Sequence, residues 1–255
     1  MKLDDFNAVA VSAATMLVPT FLFTVILGLI LNSSEKRSSM SGKITACQCI
    51  TVMIGCLFTG ITAAMFTTFP FRKSVQDGYL HALIGFFYFN SHLWLCVFCF
   101  EVYYNFRSLK SMIKYDSSNR RVATYAVLTI VLSLALTSGV EILLNSGKVE
   151  PNSIGVLACY GVPAAFIAIF SLMFSTVAIF SVLKLVRQQD SSQSSTPQKL
   201  TPINMLIWML IIHTFFEAAL VYTVMISIWE PLILSTVLLR RVFSSMVYLI
   251  LTNKK

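Results

Sequence analysis

The chain alternates between long apolar runs and short connections that are polar, charged or rich in serine. A helix that crosses a bilayer needs about 20 apolar residues, and each of the runs is long enough. The pattern therefore predicts an all-α integral membrane protein, a bundle of seven transmembrane helices that forms a single domain over residues 1–255. The predicted spans, numbered one to seven in chain order, are 8–31, 44–69, 79–106, 122–144, 154–186, 203–228 and 231–251.

The basic residues in the connections predict the orientation of the spans. Thirteen lysines and arginines fall on one side of the predicted bundle and four on the other, and the side richer in basic residues normally faces the cytoplasm. We therefore expect a multi-pass plasma-membrane protein with its N-terminus outside and its C-terminus in the cytoplasm. The connection between spans five and six, residues 188–198, is rich in Ser and Gln and is predicted to be a flexible cytoplasmic loop.

Composition narrows the class of protein. Charged residues make up 12% of the chain, about half the share that is typical of soluble domains. The net charge of +8 is interpreted as the positive-inside signature, so no nucleic-acid partner is expected. The six cysteines lie in apolar runs, which argues against a disulfide framework. The pair Cys96 and Cys99 is interpreted as packing, and neither a metal nor another cofactor is expected.

Span three is predicted to lie inside the bundle. It carries Asn90, His92 and Glu101 in an otherwise apolar stretch. Each of these side chains is costly against lipid unless it faces protein or water. We therefore expect the other helices to surround this span.

Spans six and seven carry charges at matching depths. His213 and Glu217 are four residues apart and share a face of span six, and Arg240 and Arg241 lie midway along span seven. At ~1.5 Å per residue, Glu217 and Arg240 are roughly 16 and 14 Å below the outer face. We predict that Glu217 pairs with one arginine while the other reaches backbone carbonyls or a watery cavity, because an unpaired buried charge is far costlier. A purely structural ion pair and a ligand or switch site both remain open.

Several segments resemble one receptor family. The matching positions are Gly42, Lys43 and Cys47 in span two; Trp94, Leu95, Glu101, Phe106 and Arg107 in span three; Tyr160, Gly161 and Pro163 in span five; and Glu217 in span six. This set resembles the Methuselah-like receptors of the secretin-type clan of seven-transmembrane G-protein-coupled receptors. The resemblance implies a receptor that transmits an extracellular signal by helix rearrangement to a heterotrimeric G protein in the cytoplasm.

The chain departs from that family in three places, one of which is the top of span three, where Gly78 and Tyr79 replace the first cysteine of a family disulfide. Only seven residues precede span one, where such receptors carry a large disulfide-bonded ectodomain. Ser244 and Ser245 stand where the family has Gln-Gly. Capture of a peptide by an ectodomain is therefore not expected, and a small or lipidic ligand, a constitutive bundle and a truncated form remain open.

Three groups of functional residues follow. The resemblance implies an inner polar switch near the cytoplasmic end of span three, at Glu101, Tyr104 and Arg107. Contacts with the G protein or with anionic lipid are expected at Lys110, Arg120, Arg121, Lys184 and Arg187. The central polar cluster, which either binds the unknown extracellular ligand or braces its cavity, is predicted to contain Asn90, His92, His213, Glu217, Tyr222, Arg240 and Arg241.

Two other functions do not fit these residues, and a third remains open. A retinal protein needs a lysine midway along span seven, which has arginines there instead. An intramembrane metal hydrolase needs several His and acidic residues at one depth, but the three histidines are scattered. We therefore do not expect an enzyme. A small transporter or a receptor-like scaffold without signalling remains open, because a polar cluster within the membrane suits both.

Overall fold

The computed structural model describes residues 17–68, 73–111, 119–146, 153–189, 196–226 and 230–252. Apart from short turns, the described chain is entirely helical, without strands. Its helices are α1 (Leu17–Asn32), α2 (Ser34–Ser38), α3 (Met40–Thr68), α4 (Lys73–Ser111), α5 (Asn119–Asn145), α6 (Ser153–Gln189), α7 (Thr196–Ile226) and α8 (Glu230–Thr252). The outermost residues of the first, second and sixth predicted spans, 8–16, 69 and 227–228, lie outside these ranges.

The described helices include four segments that are long and apolar enough to cross a membrane. They are Met40–Phe58, His81–Tyr104, Asn119–Asn145 and Ala158–Phe180. Two further apolar segments, Leu17–Asn32 and Ile207–Tyr222, are shorter. The protein is therefore an all-helical membrane protein with several spans, while the count of seven and the orientation stay predictions.

The connection between α6 and α7 is shorter than the predicted loop of residues 188–198. Helix α6 continues to Gln189, and α7 already begins at Thr196. Pro197 is the second residue of α7, a position where a missing backbone N–H costs no helical hydrogen bond. The proline therefore starts a helix here, although the sequence pattern assigns it to a loop. Residues 190–195 lie outside the described ranges.

Helix α4 lies at the centre of the bundle. It packs against α3, α5, α6, α7 and α8, and 61% of its apolar segment is buried, against 22% in α5 and in α6. Its fully buried side chains include Phe87, Phe89 and Trp94. The predicted interior position of span three is confirmed.

Helices α5 and α6 bury small hydroxyl side chains. Thr129, Ser133 and Thr137 form the inward stripe of α5, and Ser171 and Ser175 are buried on α6. The hydroxyls of Ser133, Thr137, Ser171 and Ser175 donate to the carbonyl four residues earlier, at 2.6–2.9 Å. Small residues let helices approach closely in a membrane, and these bonds satisfy their polar groups.

The outer surfaces of the same helices are apolar. On α5 the exposed side chains include Val127, Val131 and Ile142, and on α6 they include Phe166 and Phe170. A monomeric soluble protein rarely exposes a contiguous apolar surface of this kind. The outside of the bundle is thus suited to lipid, while its polar groups lie inside.

The close approach of α3 and α4 depends on Gly55. A Cβ atom at this position would lie 2.2 Å from Cζ of Phe87, and the Phe87 ring is fully buried and so has little room to move. Gly139 on α5 offers a comparison, because a Cβ atom there would meet nothing within 4 Å. Packing therefore requires a glycine at position 55 but not at position 139.

Replacing Gly55 by Ala is expected to lower the melting temperature of the purified protein in detergent micelles. Overpacking costs ~1–3 kcal/mol, which outweighs the ~1 kcal/mol by which Ala is the better helix former. Gly139→Ala is the matched control and should leave the melting temperature unchanged or raise it. Equal shifts in the two variants would contradict the α3–α4 packing described here.

Candidate functional site

The candidate site lies where α4, α7 and α8 meet, and we call it the central network. It consists of Tyr88, Asn90 and His92 on α4, His213 and Glu217 on α7, and Arg240 and Arg241 on α8. Tyr88 and His92 are four residues apart, so they share a face of α4. All of these side chains except Glu217 are buried.

Glu217 and Arg240 form the ion pair at the middle of the network. Nη1 of Arg240 donates to Oε2 of Glu217 at 2.7 Å, and the hydroxyl of Tyr88 donates to Oε1 at 2.5 Å. The Arg240 guanidinium also lies over the Tyr88 ring, 5.4 Å from its centroid. The predicted pairing of Glu217 with one of the arginines is confirmed.

His92 stands between the two charges. Its Nε2 lies 3.2 Å from Oε2 of Glu217 and 3.3 Å from Nη1 of Arg240. With a proton on Nε2 the ring donates to the carboxylate, and without one it accepts from the guanidinium. His92 therefore joins α4 to the ion pair in either tautomer.

The second arginine finds a partner on another side of α4. Nη2 of Arg241 donates to Oδ1 of Asn90, a side-chain partner that the sequence did not predict. Adjacent residues on a helix point about 100° apart, which directs Arg240 and Arg241 to different partners. Arg240 takes the backbone contact instead, through Nη2 to the carbonyl of Tyr88 at 3.5 Å.

The network has more polar atoms than partners within the described part of the chain. Asn90 Nδ2, His213 Nε2, Arg240 Nε and Arg241 Nη1 are buried there without a hydrogen bond, as are Ser91 Oγ, Trp94 Nε1 and Ser245 Oγ. Buried polar groups are normally hydrogen-bonded, so such a cluster points to water or a polar ligand. The Glu217 side chain is 34% exposed, so it is only partly enclosed by the bundle.

A hydrogen bond of His213 fixes which of its ring nitrogens is the donor. Its ring centre is 6.2 Å from that of His92, and its Nδ1 lies 3.1 Å from the carbonyl oxygen of Met209. Because a carbonyl oxygen only accepts, Nδ1 carries the proton and Nε2 is left as an acceptor. The central network thus offers one acceptor beside several donors.

A second polar group, which we call the inner cluster, joins α4 to α5. It consists of Glu101 and Tyr104 on α4 and Arg121 and Tyr125 on α5. Nη2 of Arg121 donates to Oε1 of Glu101, and the Tyr125 hydroxyl donates to the same oxygen at 2.5 Å. The Arg121 guanidinium lies over the Tyr104 ring, 4.5 Å from its centroid.

The inner cluster differs from the predicted switch in its basic member. Arg121 was expected to face a partner, but its side chain is 21% exposed and pairs with Glu101. The buried carboxylate draws the nearest guanidinium inward, and a contact of Arg121 with a partner stays a prediction. Arg107, predicted as part of the switch, lies in α4, but its side chain is outside the described residues.

The other predicted residues are not brought together with these clusters. Tyr222 is 68% exposed on α7, unlike the buried side chains of the central network. It is five residues after Glu217, which places it about 140° around the helix. Arg120 is exposed, as a partner-binding residue needs to be. The side chains of Lys110, Lys184 and Arg187 lie outside the described residues.

Sequence reasoning missed the tyrosines. Tyr88 donates to Glu217 and Tyr125 to Glu101, and Tyr160 on α6 donates to Oε1 of Glu141 on α5 at 3.0 Å. Tyr88 is four residues before His92, and Tyr125 is four residues after Arg121. This spacing places each tyrosine on the face of a residue already singled out, and so was a usable signal.

The described residues contain no group of three or more His, Cys, Asp and Glu side chains that could hold a metal ion. All six cysteines are free thiols. The chemistry of the central network is therefore that of hydrogen bonds and charge, supplied by an arginine pair, a carboxylate and imidazoles.

Comparisons with protein-family models, with curated proteins and with solved structures found no match to this chain. The resemblance to Methuselah-like receptors accordingly rests on the residues quoted for it.

Removing the Glu217 carboxylate is expected to destabilise the bundle because it leaves Arg240 buried without its counter-ion. Breaking such a pair costs ~3–5 kcal/mol, whereas replacing both partners by apolar residues is often close to neutral. Glu217→Ala should therefore lower the melting temperature more than the double variant Glu217→Leu/Arg240→Met. Thermal unfolding in detergent measures both.

Glu141→Ala is the control for this cycle, because it removes a carboxylate whose described partner is the neutral Tyr160. Glu141→Ala should lower the melting temperature less than Glu217→Ala does. If the double variant is as destabilised as the sum of the single variants Glu217→Leu and Arg240→Met, the ion pair carries no coupling energy and its assigned role is wrong.

Proposed function

We propose that this protein is a seven-helix receptor in which an extracellular ligand shifts the bundle between two packings and so controls a heterotrimeric G protein. In this proposal α1 and α3–α8 cross the plasma membrane, with the N-terminus outside. Helices α7 and α8, of 31 and 23 residues, are ~46 and ~35 Å long at ~1.5 Å per residue. Both lengths exceed the ~30 Å of the hydrocarbon core.

The observation that carries the proposal is the under-satisfied central network. Its charges are buried and paired across α4, α7 and α8, yet several donors have no partner among the described residues, and Glu217 is only partly enclosed. A ligand with acceptor groups would satisfy those donors and compete for the ion pair. Such differential contacts are what a ligand needs to favour one packing over another.

The inner cluster supplies a separate element that such a shift can act on. Arg121, Glu101 and Tyr125 hold α4 and α5 together by charge-assisted bonds. Helix movement that separates them frees the basic ends of the helices for a cytoplasmic partner. In the proposed orientation Lys110, Arg120, Lys184 and Arg187 lie on that side, as contacts for the G protein.

A small transporter remains the second candidate, and a receptor-like scaffold that does not signal fits the same bundle. The specific observation in favour of transport is again the central network, since buried charges within a membrane also mark substrate pathways. The two functions differ in what crosses the membrane: a conformational change in one case and a solute in the other.

Nucleotide exchange on a panel of G proteins, measured with the purified full chain in nanodiscs, tests the proposal. Glu217→Gln should change basal exchange by about fivefold or more, because couplings of this type are typically 1–3 kcal/mol. Glu141→Gln is the matched control and should change it little. Absence of exchange with every G protein, together with solute flux in proteoliposomes, would favour the transporter.

The adjacent residues Arg120 and Arg121 on α5 give a second functional test. Arg121→Ala removes the charge that holds the inner cluster and is expected to raise basal exchange. Arg120→Ala removes an exposed charge and is expected to leave the inner cluster intact and to weaken coupling. Both are measured at equal amounts of folded protein. The same response in the two variants would remove the inner cluster from the mechanism.

A further inference from the structure

Two adjoining cavities lie at the end of the bundle where α1, α2, α3 and α5 meet. The first has a volume of 310 Å³ and a largely apolar lining, which includes Ile30, Leu31, Ala46, Cys47, Val122 and Ala123. The second has a volume of 630 Å³ and is lined by polar and charged residues, namely Ser34, Glu35, Arg37, Ser38, Lys43 and Asn119. Arg37, Lys43 and Asn119 line both cavities. We call the pair the basic cleft.

The polar half of the cleft is shaped by a fixed turn. Ser33 caps α2, its Oγ accepting from the backbone N–H of Lys36 at 3.4 Å. The Ser39 hydroxyl donates to the carbonyl of Lys36 at 2.9 Å and accepts from the N–H of Gly42 at 3.0 Å. A Cβ atom on Gly42 would lie 1.9 Å from that Lys36 carbonyl oxygen. Only glycine therefore allows α2 to fold this closely onto α3.

The charges at the cleft favour an anion. Arg37 and Lys43 contribute two positive charges and Glu35 one negative charge, so the lining carries a net positive charge. The Asn119 amide and the hydroxyls of Ser34 and Ser38 add neutral donors. A phosphodiester offers acceptor oxygens for these groups, and arginine is well suited to bind it.

The apolar half of the cleft separates a lipid from a free phosphate. A soluble phosphate has no part that could occupy the cavity beside Ile30 and Val122, whereas a phospholipid has an acyl chain. Helices α3 and α5, which line this half, contain membrane-crossing segments. The cavity thus joins a lipid-like environment to a charged opening.

We propose that the basic cleft binds one anionic phospholipid, with its phosphate and headgroup at Arg37, Lys43 and Asn119 and the first part of an acyl chain in the apolar cavity. Anionic lipids are enriched in the cytoplasmic leaflet, where the positive-inside orientation places this end of the bundle. The proposal does not depend on signalling through a G protein. Its failure and the failure of the receptor proposal are therefore separate results.

Native mass spectrometry of the purified full chain, with phosphatidylserine or phosphatidylcholine of identical acyl chains, tests the site. The wild type should retain phosphatidylserine roughly tenfold more tightly, because its headgroup brings a net negative charge to two basic side chains whereas phosphatidylcholine is zwitterionic. Arg37→Gln/Lys43→Gln should lose this preference. The control Lys36→Gln removes a charge next to Arg37 but outside the cleft lining and should keep the preference, whereas Arg37→Gln alone should weaken it.

A second pair of variants tests the acyl-chain half. Ala123→Trp fills the apolar cavity and should weaken phosphatidylserine binding severalfold, while Ala135→Trp, on an exposed part of α5 away from the cleft, should not. Soluble glycerophosphoserine should compete poorly with the lipid. Thermal unfolding establishes that each variant is folded, and Arg37→Lys/Lys43→Arg, which keeps both charges, should restore the preference.

Three results would overturn the proposal. Equal loss of the lipid preference in Lys36→Gln and in Arg37→Gln would mean diffuse attraction to a basic surface. An unaffected Ala123→Trp would mean that no acyl chain occupies the cleft. Full competition by glycerophosphoserine would identify a site for soluble phosphate esters instead.

Discussion

The arrangement of this bundle depends on the burial of two adjacent arginines, Arg240 and Arg241, which are 1% and 4% exposed. A guanidinium within an apolar bundle is tolerated only with partners, and adjacent residues on a helix point in different directions. Helix α8 therefore needs polar partners on two sides. Helix α4 supplies Asn90 for one arginine and His92 for the other, and α7 supplies the carboxylate of Glu217.

This requirement explains why the most polar helix is also the central one. The apolar outer faces of α5 and α6 can meet lipid at no cost, whereas the polar side chains of α4 cannot. The resulting core has fixed partners for its charges and unpartnered atoms beside them. Such a core can adopt a second arrangement of its ion pairs only if that arrangement also gives each charge a partner. A ligand with acceptor groups would supply the missing partners.

Hydropathy and residue spacing predict the depth of a residue in the membrane but not the rotation of its helix. Depth sufficed for the ion pair of Glu217 with an arginine and for the interior position of α4. The rotation of each helix about its axis decides which partners its polar side chains meet. Asn90 bonds Arg241 and Arg121 turns inward to Glu101 because of how α4, α5 and α8 face one another, which no single-helix pattern contains. The angle between Tyr222 and Glu217, by contrast, is set within one helix. The position of Tyr222 outside the central network was therefore predictable from the sequence.

Helix α8 connects the buried charges with the end of the bundle that holds the basic cleft. The hydroxyl of Tyr248 lies 3.2 Å from that of Ser39, in the turn that shapes the basic cleft. Tyr248 is eight residues after Arg240, ~12 Å along the same helix. Because an α-helix transmits displacement as a rigid body over such a length, a change in the partners of Arg240 reaches the α2 turn without an intervening loop. The central network and the turn beside the cleft are thus joined by one continuous helix, and any coupling between the two sites would run through α8.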